Sequence, residues 1–180
     1  MLDIKDLENK IINSDCKDIL KQLPDKSIDL VLTDPPYGIG YDKKASKVSN
    51  TYQGNGVAMR GNYRPTDWDN KTPDKETFNE IIRVSKNQII FGGNYIANSL
   101  PNSRCWLVWD KKNGSNAWAD CELAWTSFDK VIKKYDYMWN GMLQEDMKHK
   151  EKRFHPTQKP VGLFERILND YSKEGDLVLK

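Results

Sequence analysis

An α/β fold with a parallel sheet at its centre is the fold class that this sequence predicts, and three observations support it. The run at 28–33 is largely apolar, as is typical of a parallel strand buried on both faces. Segments with helical spacing of apolar residues alternate with such runs along the chain. A chain of 180 residues with 38% hydrophobic content can bury one ordinary core. We therefore expect a single domain over residues 1–180.

The first part of the chain predicts a strand, a helix and a second strand. Residues 10–13 have the character of a short strand, and Ser14 or Asp15 is placed to cap the helix that follows. That helix carries three apolar residues, Ile19, Leu20 and Leu23. The second strand, at 28–33, leads directly into Asp34.

The remainder predicts a further strand-and-helix unit and then more strands. A helix opens at Asp74 and a strand at 87–91 follows it, before Gly92 and Gly93 turn the chain tightly into 94–100. Strand character recurs in three segments, at 104–109, 122–126 and 131–139. We expect the last two of these to pair as an antiparallel end of the sheet. The chain closes with a predicted helix and a predicted strand, at 161–171 and 175–179.

Composition excludes several classes of protein. The chain has 28 Lys and Arg against 26 Asp and Glu, so any contact with nucleic acid must come from local clusters of basic residues. The cysteines, Cys16, Cys105 and Cys121, lack Cys-x-x-Cys spacing, which argues against a disulfide framework and against a zinc site. No run approaches the length of a membrane span. We therefore expect a soluble, cytoplasmic protein that uses no metal.

The most informative motif is Asp34-Pro35-Pro36-Tyr37, which directly follows the predicted strand at 28–33. Ligands of open α/β sheets bind beyond the carboxyl ends of the strands. The two prolines stiffen the backbone and leave its carbonyls free to accept hydrogen bonds. A carboxylate, free carbonyls and an aromatic ring suit an exocyclic amino group on a flat ring. The alternative interpretation is that Pro-Pro merely ends the strand.

In this motif the chain resembles the DNA amino-methyltransferases, which transfer a methyl group from S-adenosylmethionine to adenine N6 or cytosine N4. Their signature is Asp-Pro-Pro-Tyr after a strand. The segments that carry the resemblance, in order and spacing, are 13–16, 25–37, 91–95, 109–111 and 155–160. The chain resembles the class whose catalytic motif precedes its cofactor motif. The resemblance implies a Rossmann-like class I methyltransferase fold, a three-layer sandwich with a permuted order of elements.

The resemblance also implies where the cofactor would bind. The sequence His-Pro-Thr-Gln-Lys-Pro at 155–160 resembles the family's motif beside the methionine part of S-adenosylmethionine. Asp15 and Cys16 resemble the segment in which a carboxylate accepts from the adenine of the cofactor, with a plain helix cap as the competing interpretation of Asp15. The candidate cofactor contacts are therefore Asp15, Cys16, Asp34, His155, Thr157, Gln158 and Lys159.

The implied mechanism begins with extrusion of the target base, because its amino nitrogen cannot be reached inside the duplex. Tyr37 would then stack on the base, while Asp34 and the Pro35 carbonyl accept the amino hydrogens. Pro36 completes the catalytic turn. Further candidates for the pocket around the base are Gly38, Phe91, Gly92 and Gly93. For the last three, a simple turn between strand and helix is an equal alternative.

A long mobile loop over the site is predicted at 38–65, where glycines and polar residues are frequent and apolar periodicity is weak. Basic residues in this loop, with tyrosines between them, form a candidate surface for the DNA backbone. They are Lys43, Lys44, Lys47, Arg60 and Arg64. Solvated surface charges are the alternative interpretation.

The resemblance ends at the carboxyl terminus. The strand-like segment 175–179 is followed by Lys180, whereas the family continues with Asp-Pro-Phe and a Gly-rich turn that contacts the cofactor. We therefore expect a partial domain, truncated at its C-terminus, with weakened cofactor affinity. A homodimer or a complementing chain would then supply the missing segment.

Three functions follow as hypotheses. The first is a site-specific DNA adenine N6 methyltransferase of a restriction-modification system, with cytosine N4 as the alternative target. The second is a non-catalytic DNA-binding remnant or subunit. The third is a structural interpretation in which residues 34–37 only end a strand.

Overall fold

A mixed six-stranded sheet forms the centre of the computed structural model, which describes residues 4–41, 67–114, 119–140, 143–155 and 157–180. Its strands are β1 (Ile28–Thr33), β2 (Ser85–Phe91), β3 (Trp106–Asp110), β4 (Cys121–Thr126), β5 (Lys133–Asp136) and β8 (Val178–Leu179). A separate two-stranded sheet consists of β6 (Trp139–Asn140) and β7 (Leu143–Gln144). The α-helices are α1 (Cys16–Leu20), α2 (Lys75–Val84), α3 (Gly93–Ile96) and α4 (Val161–Tyr171), and short 3₁₀ turns lie at Ile4–Asp6 and Ala97–Ser99.

The strand order is β5-β3-β4-β2-β1-β8. β1 lies between β2 and β8 and pairs in parallel with both. β4 is inserted between β2 and β3 and runs antiparallel to each. As a result, β4 begins on the edge of the sheet where β1 and β2 end.

Helices cover both faces of this sheet. Leu30 and Leu32 of β1 pack in one cluster with Leu163 and Ile167 of α4, whereas Val31 packs on the other face. There it joins side chains from the first two helices and the turn after α1, namely Leu20, Leu23, Phe78, Ile81 and Val84. Alternate residues of a strand point to opposite faces, so β1 supplies both cores. The predicted three-layer α/β class is confirmed.

The helices begin where the sequence predicts. The Asp15 carboxylate accepts from the Lys17 amide at 2.9 Å, and the Asp74 carboxylate accepts from the Thr77 amide at 3.0 Å, so both residues are N-caps. α4 spans the predicted 161–171, with Pro160 at its N-cap. Its start is fixed directly after the motif at 155–160.

Two predicted features are wrong. Residues 10–13 form no strand: the Ile11 side chain is fully exposed, and a short segment with two isoleucines gains ladder hydrogen bonds only beside a partner strand. The segments at 122–126 and 131–139 do not pair with each other either. β3 lies between them. It pairs antiparallel with β4 along one edge and in parallel with β5 along the other.

Within the described residues, no helix combines the length and apolar composition that a membrane span requires.

Candidate active site

The carboxylate of Asp34 lies directly after β1 and is already engaged by two donors. The Tyr37 hydroxyl donates to Oδ1 at 2.6 Å, and the Lys159 ammonium donates to Oδ2 at 2.7 Å. The Asp34 side chain is 22% exposed and that of Lys159 only 9%. The strand and the turn therefore deliver an acidic group to a half-buried position at the edge of the sheet.

Lys159 reaches Asp34 across 125 positions of sequence because α4 packs on the sheet beside β1. The sequence predicted that the motifs at 34–37 and 155–160 serve one site, and the structure brings them into contact. The structure also shows a partner of Lys159 that the sequence did not predict, because the Lys159 ammonium donates to the Asp34 carboxylate. A role for Lys159 toward the cofactor stays a prediction.

Two further charged residues complete this cluster, and the sequence analysis missed both. Glu122 lies in β4, and its Oε2 is 3.0 Å from the Lys159 ammonium and 3.2 Å from the Tyr37 hydroxyl. Its Oε1 is 2.6 Å from the ammonium of Lys111, which follows β3 directly. The only available signal was a charged residue inside an otherwise apolar strand-like segment, and that signal does not reveal which strand lies nearby. We call Asp34, Tyr37, Lys111, Glu122 and Lys159 the carboxylate cluster.

The cluster keeps its groups in defined charge states. Burial alone would raise the pKa of Glu122, but the charges of Lys159 and Lys111 outweigh it and hold that pKa below its ordinary value. Burial would lower the pKa of Lys159, but Glu122 and Asp34 outweigh it and raise that pKa. Burial, together with the two carboxylates, raises the pKa of Tyr37 far above its ordinary value. Near neutral pH, Tyr37 is therefore a neutral donor beside charged Glu122 and Lys159.

Tyr37 is held between a glycine and a second tyrosine. Its ring stacks on that of Tyr95, with centroids 5.0 Å apart and planes inclined by 19°. A Cβ added to Gly92 would lie 2.1 Å from Tyr37 Cε1, so the turn after β2 must be glycine for the ring to fit. Gly92 also has φ +71°, which glycine adopts without steric cost. Tyr95, which is half exposed, is a site residue that sequence reasoning did not select.

Asp69 anchors the backbone at the end of the Asp-Pro-Pro-Tyr turn and just after it. It is 1% exposed, and its carboxylate accepts from the amides of Tyr37 and Gly38, both at 2.8 Å, and of Tyr41 at 2.9 Å. The Gly40 amide donates to the Asp69 carbonyl at 2.9 Å. Charge-assisted bonds from three amides fix this turn more firmly than neutral ones would. No local sequence pattern predicted this role, because Asp69 lies 31 positions from Gly38.

The candidate cofactor residues fall into two groups. Asp15 and Cys16 are exposed at the start of α1, and among the described residues no hydrogen bond or ion pair joins them to Asp34 or Lys159. His155, Thr157 and Gln158 form a compact turn beside the carboxylate cluster: the Thr157 hydroxyl lies 3.0 Å from His155 Nδ1, and the Gln158 side-chain oxygen accepts from the Phe154 amide. Burial lowers the pKa of His155, so its ring is neutral near pH 7.

The other predicted residues take different positions. Phe91 is 1% exposed and stacks on Phe164, so it forms the floor beneath the cluster rather than its surface. Gly93 packs against Trp106 and Trp125, where a Cβ would not fit. The predicted loop beyond residue 41 lies outside the described residues. So do the candidate DNA contacts, Lys43, Lys44, Lys47, Arg60 and Arg64.

The fold and the cluster together define an α/β protein that presents an Asp-Pro-Pro-Tyr turn at the carboxyl end of a central parallel strand. A family model described as DNA methylase, for the N6/N4 methylases, matches residues 107–179. That segment contains Lys111, Glu122 and Lys159.

Individual methyltransferases are similar to this chain over nearly its whole length. The type II methyltransferase M.HpaI of Haemophilus parainfluenzae is 28% identical, covering 96% of this chain and 63% of the relative. M.HinfI of Haemophilus influenzae is 27% identical, covering 98% of this chain and 59% of the relative. M1.MboII of Moraxella bovis is 24% identical, covering 95% of this chain and 82% of the relative.

Together, these matches show that the chain is similar to the N6/N4 DNA methylases, over its second half in the family model and over nearly its whole length in the individual relatives. The chain spans about three fifths of the length of the first two of these relatives, as the coverages of 63% and 59% show.

Proposed function

We propose that this chain carries the catalytic centre of a site-specific DNA methyltransferase that transfers a methyl group from S-adenosylmethionine to adenine N6. The observation that carries this proposal is the Asp34 carboxylate, presented at the end of β1 beside the Tyr37 hydroxyl and half-buried. The relatives, whose names describe type II methyltransferases, support a role in a restriction-modification system.

Asp34 suits an amino group because an ionised carboxylate is an acceptor only. In the described part of the chain no donor reaches the Pro35 carbonyl, so the turn offers a second acceptor on the next residue. Two acceptors hold both amino hydrogens and direct the nitrogen lone pair outward, and such positioning supplies much of the rate of a transfer between bound groups. For Tyr37 to stack on an extruded base, Tyr95 has to leave the face of the Tyr37 ring that it covers in this structure.

The residues present suit the proposed cofactor in part. Asp15 uses Oδ1 to cap α1, which leaves Oδ2 to accept from an amino group on an adenine ring. His155 and Thr157 border the Asp34 site with a neutral ring and a hydroxyl, which suit a polar amino-acid moiety. When bound, S-adenosylmethionine supplies an electrophilic methyl group on a sulfonium. The Asp34 carboxylate, which accepts from Lys159 in this structure, would face the acceptor nitrogen of the base.

Adenine is favoured over cytosine because Asp, rather than Ser, precedes Pro-Pro-Tyr, which resembles the adenine enzymes more often. The physical demand for acceptors is similar for both amino groups. The methylated nucleoside itself therefore has to be identified.

The test is to incubate the 180-residue chain with S-adenosylmethionine and plasmid DNA, and to identify methylated nucleosides by mass spectrometry after digestion. We expect N6-methyladenine from the wild type and none from Asp34→Ala. Asp146→Ala, which removes an exposed carboxylate that caps a turn elsewhere, is the matched control and should retain transfer. N4-methylcytosine would support the cytosine alternative. DNA binding without any methylated product would favour the non-catalytic alternative, and full transfer by Asp34→Ala would refute the role of Asp34.

A further inference from the structure

We propose that Glu122 is a positioning residue that receives the Lys159 ammonium and the Tyr37 hydroxyl when the amino group of the target base takes their place on Asp34. This inference rests on the proposed function. It concerns a residue in β4, outside both sequence motifs that pointed to the site.

The two donors on Asp34 stand where the amino group would have to bind. The Tyr37 hydroxyl engages Oδ1 at 2.6 Å and Lys159 engages Oδ2 at 2.7 Å. An ammonium at this distance partly neutralises the carboxylate. Asp34 is then a weaker hydrogen-bond acceptor for a neutral amino group. Asp34 accepts the base fully only after Lys159 has moved away.

Glu122 is already within reach of both displaced donors. Its Oε2 is 3.0 Å from the Lys159 ammonium and 3.2 Å from the Tyr37 hydroxyl, so both donors can leave Asp34 without losing a hydrogen-bond acceptor. Its Oε1 is held at 2.6 Å by Lys111, which keeps the carboxylate in place during that shift. A single oxygen thus faces both donors that must leave Asp34.

The exchange needs no charge to enter or leave a half-buried site. The cluster holds two carboxylates, Asp34 and Glu122, and two ammonium groups, Lys111 and Lys159, which sum to zero. After the exchange both ammonium groups face Glu122, and Asp34 faces the base. The net charge of the cluster therefore stays at zero throughout, and Asp34 exchanges its ion pair with Lys159 for a hydrogen bond from the amino group of the base.

Glu122→Gln tests the proposal, because the variant keeps the shape of the side chain and removes its charge. Lys159 then has Asp34 as its one charged partner in the cluster and blocks it. We expect methyl transfer at saturating substrates to fall about ten-fold, which corresponds to about 1.4 kcal/mol. Adding Lys159→Met removes the blocking group and returns the cluster to neutrality. Because Lys159 is also a candidate cofactor contact, this double variant is compared in DNA binding without the methyl donor, where it should regain the preference for a target base that carries the amino group.

A second readout needs no methyl donor. The wild-type methylation pattern identifies the target site, and duplexes are then made with adenine or with purine, which lacks the amino group, at the target position. The wild type should bind the adenine duplex more tightly, and Glu122→Gln should lose this preference while its purine affinity stays unchanged. Glu80→Gln is the matched control: its side chain is 20% exposed against 18% for Glu122, and it pairs with Arg83 away from the site.

Each outcome decides the matter. Equal loss of adenine and purine binding, or a double variant that regains no preference for adenine over purine, overturns the inference and leaves the proposed function intact. A wild type that methylates nothing removes the function and the inference together. Should Glu122→Gln fail to fold, Lys111→Met serves instead: Glu122 keeps its charge but loses its anchor, so a reduced adenine preference supports the proposal and an unchanged one overturns it.

Discussion

At the residue scale, the site depends on backbone geometry as much as on charge. Gly92 permits the Tyr37 ring to lie where its hydroxyl meets Asp34, and Asp69 fixes the amides on the other side of the same turn. Neither residue carries reactive chemistry. Both determine where the reactive groups stand.

Gly92→Ala should disrupt the position of Tyr37. The new methyl group would lie 2.1 Å from Tyr37 Cε1, and φ +71° is strained for alanine by about 1–2 kcal/mol. We expect a lower melting temperature and a loss of methyl transfer of at least about ten-fold. Circular-dichroism melting and the nucleoside assay measure the two effects.

Gly175→Ala is the control for strain alone. Gly175 also has positive φ, +88°, but no atom lies within 4 Å of the added methyl group, apart from those of its chain neighbours. It should destabilise the chain by a similar amount and leave transfer unchanged. Equal transfer by the two variants would show that the contact between Gly92 and Tyr37 does not matter for the site.

Local spacing after a strand and before a helix was sufficient to select the two motifs that the structure brings into contact at Asp34 and Lys159, and the roles of their residues stay predictions. It was not sufficient for Glu122, Lys111 or Asp69. The contacts of Glu122 and Lys111 depend on β4 lying between β2 and β3, and that of Asp69 with Gly38 joins residues 31 positions apart. Sequence patterns do not encode that order at short range.

At the element scale, the position of β1 depends on Asp29, which links three strands. Its carboxylate accepts from Lys86 of β2 at 2.6 Å and from the Leu177 amide, just before β8, at 2.9 Å. The hydrogen bond from Lys86, followed by that from Leu177, lowers the pKa of Asp29 below its ordinary value.

Because that pKa is lowered on folding, Asp29 stabilises the fold above the unfolded value of about 3.9, and the contribution is lost as the pH falls through the lower folded value. Asp29→Asn should therefore reduce the free energy of unfolding at pH 7, by about 1 kcal/mol for a partly exposed group, and by less at pH 3. Urea unfolding at both pH values measures the difference. Lys86→Met should reproduce part of the loss, and a deficit in Asp29→Asn that is the same at both pH values would contradict this role.

Element prediction succeeded where the pattern was long or capped. α4 and α2 have apolar periodicity and clear starts, and β1 is a buried run before Pro-Pro. It failed for residues 10–13, since a short apolar run resembles a strand whether or not a partner exists. It also failed for the order of β3, β4 and β5, which is set by tertiary packing.

At the scale of the whole molecule, a net charge of +2 gives little long-range attraction to DNA. The affinity for DNA that the proposed function requires would then come from local basic groups and from capture of the base at the carboxylate cluster. Among the described residues, Asp34, Tyr37 and Lys159 form the candidate site for that capture. They also explain why the motifs at 34–37 and 155–160, distant in sequence, act at one place.

That Asp34 works beside a bound methyl donor is tested most directly by calorimetric titration of S-adenosylmethionine into the 180-residue chain, with and without a DNA duplex. This measurement requires no knowledge of the recognition sequence. We expect saturable binding with a dissociation constant on the order of micromolar, which corresponds to a binding free energy of about 8 kcal/mol. The control variant Asp146→Ala should bind with the same affinity. No detectable binding under either condition would contradict the catalytic proposal and favour a DNA-binding role without transfer.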